Sequence, residues 1–268
     1  MKVLMQDAQY IVQENGLIGM YKHIEKAART CYQSYKNIKD GSAERMVQGL
    51  IKLNHTAMLE HGTVYLVGKT DDENLQKYID NKYTVSIEND GMLYITTNYR
   101  VIVENGWFDD MKKYGCDSPC PQHMKTYTIK MITNLQVAME CIRHRQMSMA
   151  MESSRYCAYD KEQFGDELAF IFPLWLDNEE KSQQVEWING MQDAENHYMR
   201  CRMAGWTAER CAQFLPKAAK TTLVMTGFKD YWKHFFDLRY RETTGEVHEQ
   251  MKELSTIIYG LIGEEVDS

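Results

Sequence analysis

The spacing of hydrophobic and polar residues divides the chain into short helices and strands. From Ile18 onwards, apolar residues recur every three or four positions, which predicts a helix that ends near Tyr35. Ser42 is the predicted N-cap of a second helix, whose apolar face extends to Leu53. Further helices are predicted over residues 107–114, 135–144, 178–204, 228–238 and 249–262.

Apolar runs bounded by turn residues predict strands over residues 62–67, 83–87, 92–96, 126–132 and 221–225. The Asn89-Asp90-Gly91 sequence predicts a turn between the second and third of these strands. Gly227 is expected to end the last strand, and residues 115–121 are expected to form a loop. These elements predict a single α+β domain over residues 1–268, with a mixed sheet and packed helices.

Composition excludes several classes of protein. The chain has 268 residues, 31 basic and 38 acidic, and the net charge of −7 argues against a nucleic-acid partner. No apolar run is long enough for a membrane-spanning helix, so no membrane partner is expected. Seven cysteines without a signal peptide predict free thiols and a cytoplasmic location.

The residues that could carry chemistry are most concentrated between Arg143 and Tyr156. This segment contains three arginines, three serines, a histidine and a glutamate. Guanidinium groups bind phosphate oxygens in pairs of hydrogen bonds, and serine hydroxyls add donors. The segment could therefore form a pocket for a phosphorylated small molecule, although a solvated loop has a similar composition.

The order of these residues resembles the signature of the flavin-dependent thymidylate synthases. Arg143-His144-Arg145 is followed after seven residues by Ser153, and then by Arg155-Tyr156. Residues 27–32 and 55–61 resemble the amino-terminal half of that family, and residues 215–239 its carboxy-terminal half. The resemblance covers roughly residues 20–260. The chain is longer than compact members between these halves, which predicts an insertion at about residues 69–122.

The resemblance implies a reaction and an assembly. Members of this family bind FAD and transfer a one-carbon unit from 5,10-methylenetetrahydrofolate to C5 of dUMP. NADPH is the reductant and dTMP is the product. The resemblance also implies a homotetramer with active sites at subunit junctions, and it offers no catalytic cysteine.

The resemblance also assigns site residues. The implied FAD contacts are His55, Arg143, His144, Arg145 and His234. The implied dUMP contacts are Glu140, Arg143, Glu152, Ser153, Ser154, Arg155 and Arg239. Arg239 is the implied catalytic residue, because a guanidinium beside the pyrimidine stabilises negative charge at N3 and O2. Ser153 is interpreted as a phosphate ligand rather than a nucleophile, and His144 could instead have a structural role.

Several positions depart from the family pattern: Ala150, Met151, Ala212, Phe228 and His234. Ala212 replaces an arginine that contacts the nucleotide phosphate, and such a charge-assisted hydrogen bond contributes roughly 1.5–3 kcal/mol. Phe228 and His234 stand where compact members have asparagines that contact the flavin.

These departures leave three functions open. The first is the dTMP-forming enzyme. The second is a related flavin and folate enzyme that makes a 5-hydroxymethyl pyrimidine nucleotide or acts on dCMP. The third is a homologue that binds nucleotide or RNA without catalysis, although the retained arginines argue against it. No metal site is expected, because Cys116, Cys120 and His123 lack a fourth ligand at zinc-like spacing.

Overall fold

Strands and α-helices are interspersed along the whole chain in the computed structural model, which describes residues 1–268. The strands are β1 (Lys2–Leu4), β2 (Asp7–Tyr10), β3 (Thr63–Lys69), β4 (Val85–Asn89), β5 (Met92–Asn98), β6 (Gly115–Cys116), β7 (Thr126–Asn134), β8 (Ser148–Met151), β9 (Ala169–Ile171) and β10 (Lys220–Phe228). The α-helices are α1 (Gly16–Tyr32), α2 (Ser42–Lys52), α3 (Gln76–Ile79), α4 (Tyr99–Asn105), α5 (Phe108–Tyr114), α6 (Leu135–Cys141), α7 (Lys181–Met203), α8 (Ala208–Cys211), α9 (Lys229–Arg239) and α10 (Glu249–Asp267). Shorter 3₁₀ helices cover Tyr35–Asn37, Thr56–His61, Glu73–Leu75, Glu162–Phe164, Leu174–Asn178 and Ala212–Phe214.

The strands form two four-stranded antiparallel sheets and one parallel pair. The central sheet has the order β2-β7-β10-β8, and the second sheet has the order β4-β5-β3-β6. Strand β1 pairs with β9 in parallel. The α+β class is therefore confirmed, but the strands are divided among three sheets rather than joined in one mixed sheet. Parallel pairing needs a long connection, and here the chain between β1 and β9 supplies it.

Each four-stranded sheet has its own hydrophobic core. Helices α9 and α10 pack on the central sheet, where Trp232 and Phe235 are fully buried against Ile129 and Leu223. Helices α1, α2 and α4 contribute Ile24, Val47 and Ile102 to the core of the second sheet. Burial of each such side chain contributes about 1.5–3 kcal/mol, which explains why the amphipathic spacing predicts these helices well.

Most predicted elements are confirmed, and the turn between β4 and β5 is where it was predicted. Asp90 and Gly91 both have positive φ, at 51° and 71°, which is the conformation of a tight hairpin. Gly227 does not end its strand. It lies inside β10, where it pairs with Tyr127 of β7. Gly115 and Cys116 form a short strand instead of a loop, since they pair with β3 at the sheet edge.

Two further expectations differ from the structure. Ser42 is the first residue of α2 rather than its N-cap, and its hydroxyl donates to Glu25 Oε2 at 2.9 Å. Helix α7 forms as predicted, but Val185 and Ile188 on its apolar face are exposed because no other part of the chain covers them.

The single-domain interpretation and the insertion at about residues 69–122 stay predictions. No helix combines the length and the apolar character that crossing a membrane requires.

Candidate active site

Arg239, at the end of α9, is held by two side chains from the α6 region. Its Nε donates to Nε2 of His144 at 3.2 Å, and its Nη1 donates to Oε2 of Glu140 at 3.3 Å. Nδ1 of His248 lies 3.2 Å from the other oxygen of Glu140. A guanidinium has five N–H donors, so Arg239 keeps donors free for a ligand.

His144 is neutral at pH 7 and acts as an acceptor. Burial, helped by the charge of Arg239 and the neighbouring His234, lowers the pKa of His144 to about 4. Because a guanidinium can only donate, Nε2 of His144 carries no proton and the ring proton lies on Nδ1. The ring of His144 also packs on Phe235, with centroids 4.9 Å apart.

A cleft of about 250 Å³ opens beside this group, and we call it the arginine cleft. Its walls include Arg143, His144, Arg145, His234 and Arg239. The side chains of Arg143 and Arg145 are exposed and form no ion pair within the chain. A smaller cavity of about 180 Å³ continues from the cleft, since both are lined by Arg145 and Met147. The structure therefore brings five of the sequence-predicted residues together around an electropositive cleft.

Glu140 and Arg143 lie close together, but the helix predicted over residues 135–144 ends before Arg143. Helix α6 ends at Cys141, and the amide of Arg143 donates to the carbonyl of Glu140 at 3.2 Å in the following turn. The turn directs the chain from α6 towards β8, so Arg143 and Arg145 lie shortly before that strand begins.

A second polar group follows β8, in residues 153–155, and we call it the serine-arginine turn. The carbonyl of Ser153 accepts hydrogen bonds from the amides of Tyr156 and Cys157. The amides of Ser154 and Arg155 have no backbone partner. The Arg155 guanidinium is exposed and lies 3.3 Å from Glu209 of α8. Two free amides, two hydroxyls and a guanidinium on one turn match the needs of a phosphate group.

Glu152 lies next to the serine-arginine turn but faces the interior. Its Oε1 accepts from the Tyr159 hydroxyl at 2.9 Å. Its Oε2 accepts from Lys220 Nζ at 2.7 Å and from the Thr222 hydroxyl at 3.0 Å. The carboxylate has no exposed surface. The Glu152 carboxylate thus accepts hydrogen bonds from three internal donors. Its implied contact with dUMP stays a prediction.

Strand β8 separates the two groups of polar residues. It is four residues long, which corresponds to roughly 10 Å between its ends at 3.3 Å per residue. Arg143, His144 and Arg145 of the arginine cleft precede β8 in the sequence. None of the walls of the cleft comes from the serine-arginine turn, which follows β8. One chain alone therefore does not join the implied phosphate contacts to Arg239 in a single pocket.

The remaining predicted positions have different surroundings. His55 is exposed at the start of the 3₁₀ helix Thr56–His61 and lines neither the arginine cleft nor the smaller cavity. Ala150 is buried against Ala27 and Val224, where an asparagine would lack a polar partner. Phe228 lines the smaller cavity.

The loop that contains Cys116 and Cys120 uses its histidine for structure. Nδ1 of His123 accepts from the amide of Cys120 at 2.9 Å, and Nε2 lies 3.1 Å from the carbonyl of Leu66. Both ring nitrogens are therefore engaged with the backbone. No cluster of three or more potential metal ligands occurs in the structure.

Sequence reasoning missed the groups that hold the site residues in place. His248 lies before α10, Glu209 lies in α8 and Lys220 begins β10. Each is more than 50 positions from its partner in the sequence, and no local pattern predicts such contacts. The sequence indicates only that the arginines need acidic partners, and it does not show which residues supply them.

Comparison with known proteins gives a family match and distant structural likenesses. Residues 83–261 match the profile of the Thy1 family, described as thymidylate synthase complementing protein. No curated protein matches the chain.

Two solved structures of a UMP/dUMP methylase, PolB from Streptomyces cacaoi, are similar to this chain. The structure bound with 5-Br dUMP has a TM-score of 0.45 and 15% identity, over 100% of this chain and 93% of that chain. The structure bound with 5-Br UMP has a TM-score of 0.49 and 13% identity, over 98% of this chain and 91% of that chain.

Proposed function

Because this chain belongs to the Thy1 family of thymidylate synthase complementing proteins, we propose that it is a flavin-dependent nucleotide methyltransferase. The proposed reaction transfers a one-carbon unit from 5,10-methylenetetrahydrofolate to C5 of dUMP and gives dTMP, with NADPH as the reductant. The observation that carries this proposal is the arginine cleft, where three guanidinium groups surround a neutral histidine.

The arginine cleft suits the anionic part of FAD. The pyrophosphate of FAD carries two negative charges, and the guanidinium groups of Arg143 and Arg145 are exposed without an ion-pair partner. Such groups bind phosphate oxygens through charge-assisted hydrogen bonds. His234 borders the same cleft, and Phe228 offers an aromatic surface in the adjoining cavity. When bound, the flavin would supply the reducing chemistry, while the protein binds and orients.

The serine-arginine turn suits the phosphate of a nucleotide. The free amides of Ser154 and Arg155 supply two donors, and the Arg155 guanidinium supplies positive charge. Because β8, which is roughly 10 Å long, separates this turn from the arginine cleft within one chain, we infer that the complete site combines the turn of one subunit with the cleft of another. This arrangement supports the proposed homotetramer with active sites at subunit junctions.

Arg239 would act on the pyrimidine. Carbon C5 becomes nucleophilic when negative charge develops at N3 and O2, and a guanidinium placed there stabilises that charge. Glu140 and His144 fix two of the five donors of Arg239. The remaining N–H groups would be preorganised for the ring, which lowers the cost of reorganisation during the reaction.

The test is mass spectrometry of the nucleotide after incubation with FAD, NADPH and methylenetetrahydrofolate, in parallel reactions with dUMP, UMP and dCMP. A methyl group added to dUMP is the expected result. A hydroxymethyl product, or reaction with only UMP or dCMP, would retain the enzyme class and replace the proposed substrate or product. Absence of product in every reaction, in protein that binds FAD, would overturn the proposed activity.

A further inference from the structure

A cavity between the end of α1 and the start of α2 carries an excess of positive charge. It has a volume of about 350 Å³, and no carboxylate lines it. Four of the seven residues that line it are cationic, namely Arg29, Lys36, Lys39 and Arg45. The proposed function assigns no role to this space, which we call the α1–α2 cavity.

Three of the four cations have no carboxylate partner. Lys36, Lys39 and Arg45 are exposed and form no ion pair within the chain. Asp40 and Glu44 are their acidic neighbours in the sequence, but neither lines the cavity or pairs with a cation. Like charges that share one cavity repel each other, and a bound anion removes that repulsion.

The fourth cation, Arg29, is held in place by a buried carboxylate. Oε1 of Glu25 accepts from Nε and Nη2 of Arg29 at 3.2 Å and 2.8 Å. The side chain of Glu25 is only 2% exposed and that of Arg29 is 14% exposed. Nη1 of Arg29 faces only the Ser34 hydroxyl, at a long 3.5 Å. A guanidinium fixed in this way keeps donors free for a ligand and loses little freedom when the ligand binds.

The same carboxylate also fixes the loop on the other side of the cavity. Oε2 of Glu25 accepts from the Ser42 hydroxyl at 2.9 Å. The oxygen of that hydroxyl accepts from the amide of Lys39 at 3.0 Å. Glu25 therefore connects α1 to the first residue of α2, so two walls of the cavity have a defined separation before any ligand binds.

The start of α2 brings Arg45 back over this loop. Nη2 of Arg45 donates to the carbonyl of Asp40 at 3.4 Å. Gly41 has a φ of 68°, and a Cβ at this position would lie only 3.1 Å from Nη1 of Arg45. Glycine thus provides both the turn and the space for the guanidinium. Ser42 begins α2 and lines the cavity, so the positive end of the helix dipole adds to the charge of the side chains.

Charge and size together define the class of ligand. Guanidinium and ammonium groups bind phosphate and carboxylate oxygens through charge-assisted hydrogen bonds. Three unpaired cations in one cavity match a ligand with two or three neighbouring negative groups. The volume is that of a site for a small molecule. The net charge of −7 disfavours a long polyanion that would extend over the rest of the surface.

We propose that the α1–α2 cavity binds a small polyanion in which two or three phosphate or carboxylate groups are adjacent. The triphosphate of a nucleotide and a γ-linked glutamyl chain share this chemistry. Arg29 is two residues before Cys31, whose carbonyl accepts from the amide of Ser153 at 3.0 Å. The ligand would therefore bind close to the serine-arginine turn without occupying it. The site does not require the proposed methyl transfer to be correct.

The experiment is isothermal titration calorimetry of the intact protein with three probes: tripolyphosphate, tri-γ-glutamate and inorganic phosphate. We expect tripolyphosphate or tri-γ-glutamate to bind at least tenfold more tightly than inorganic phosphate, because only a ligand with several charges contacts all of the cations. The tighter of the two identifies the source of the anion. Absence of binding by both at millimolar concentration, or equal affinity for inorganic phosphate, would overturn the proposal.

The arginine cleft also attracts phosphate, so variants must locate the binding. The double variant Lys39→Gln with Arg45→Gln should weaken binding at least tenfold. Lys52→Gln, which changes an exposed lysine of α2 outside the cavity, should leave the affinity unchanged. Arg143→Gln with Arg145→Gln, in the arginine cleft, should also leave it unchanged. Equal affinity in the first variant and the Lys52 control, with native circular dichroism, or a loss confined to the cleft variant, would contradict the assignment.

Discussion

Arg239 and His144 form a donor–acceptor pair in which a charged guanidinium donates from Nε to an uncharged imidazole over 3.2 Å. The two residues are 95 positions apart, and the contact ties helix α9 to the turn after α6. Because His144 stays neutral, it holds Arg239 without neutralising its charge. The positive charge of Arg239 therefore remains available to the cleft, partly balanced by Glu140.

Replacement of Arg239 should greatly reduce turnover. We expect Arg239→Ala to lower kcat by roughly 10²–10³-fold, which is typical for loss of one group that stabilises charge in the transition state. Arg241→Ala is the matched control, since Arg241 pairs with Asp237 and Asp267 at the same helix end, outside the cleft. Steady-state assays of both variants check this, and near-normal turnover of Arg239→Ala would remove its proposed role.

His144 should affect catalysis through the orientation of Arg239. His144→Phe retains an aromatic ring against Phe235 but removes the acceptor for Arg239 Nε. A lost hydrogen bond to a charged group costs about 1.5–3 kcal/mol, so kcat should fall at least tenfold. Affinity for the nucleotide should change little, because the serine-arginine turn is untouched. A change in affinity with constant kcat would contradict this assignment.

The position of Ala212 offers a gain of function. It begins the 3₁₀ helix that follows α8, and Glu209 of α8 contacts Arg155. Ala212→Arg should therefore place a further guanidinium near the serine-arginine turn and tighten dUMP binding about tenfold. Isothermal titration calorimetry measures this, with Ala212→Gln as the uncharged control. Unchanged or weaker binding would show that another contact serves the phosphate.

Lys220 should be essential for stability rather than for binding. Lys220→Met leaves the buried Glu152 carboxylate with only hydroxyl donors. Breaking such a pair costs about 3–5 kcal/mol. The double variant Lys220→Met with Glu152→Gln should recover much of this loss, because no unpaired charge remains. Urea unfolding tests the prediction, and equal stability of the single and double variants would contradict it.

Stability should decrease in mild acid. The pKa values of His23 and His144 are lowered to about 4, and that of His61 to about 3, from the ordinary 6.5. Between about pH 6.5 and pH 4 the unfolded chain binds more protons than the folded chain, so the free energy of unfolding falls as the pH falls. Each histidine contributes on the order of 3 kcal/mol over this interval. Urea unfolding at fixed protein concentration should show a lower midpoint at pH 5 than at pH 7.5. A higher midpoint at pH 5 would contradict these pKa values.

Local patterns predicted the elements because burial follows the helical and strand periods. The turn at Asp90-Gly91 and the helix that ends at Arg239 could both be placed from neighbouring residues alone. The sheet arrangement could not, because the pairing of β7 with β10 joins residues more than 80 positions apart. The exposed face around Val185 shows a further limit of prediction from sequence. Amphipathic spacing indicates that a helix has an apolar face, but it does not show what covers that face.

The candidate site was predictable in its residue types and partly in its geometry. The Arg-His-Arg motif placed Arg143, His144 and Arg145 together, and the resemblance added Arg239. The inward direction of Glu152 could not be predicted, because it depends on Lys220 and Tyr159, which approach from other parts of the fold.

In the proposed assembly, strand β8 would make each chain a participant in two active sites. If the arginine cleft of one subunit works with the serine-arginine turn of another, a defect at one end of β8 leaves the other end competent. Two inactive proteins, one damaged at Arg239 and one at Arg155, would then regain some whole sites when co-assembled. Four residues of strand would thus allow complementation between damaged alleles, whereas a lesion within β8 would affect both centres at once.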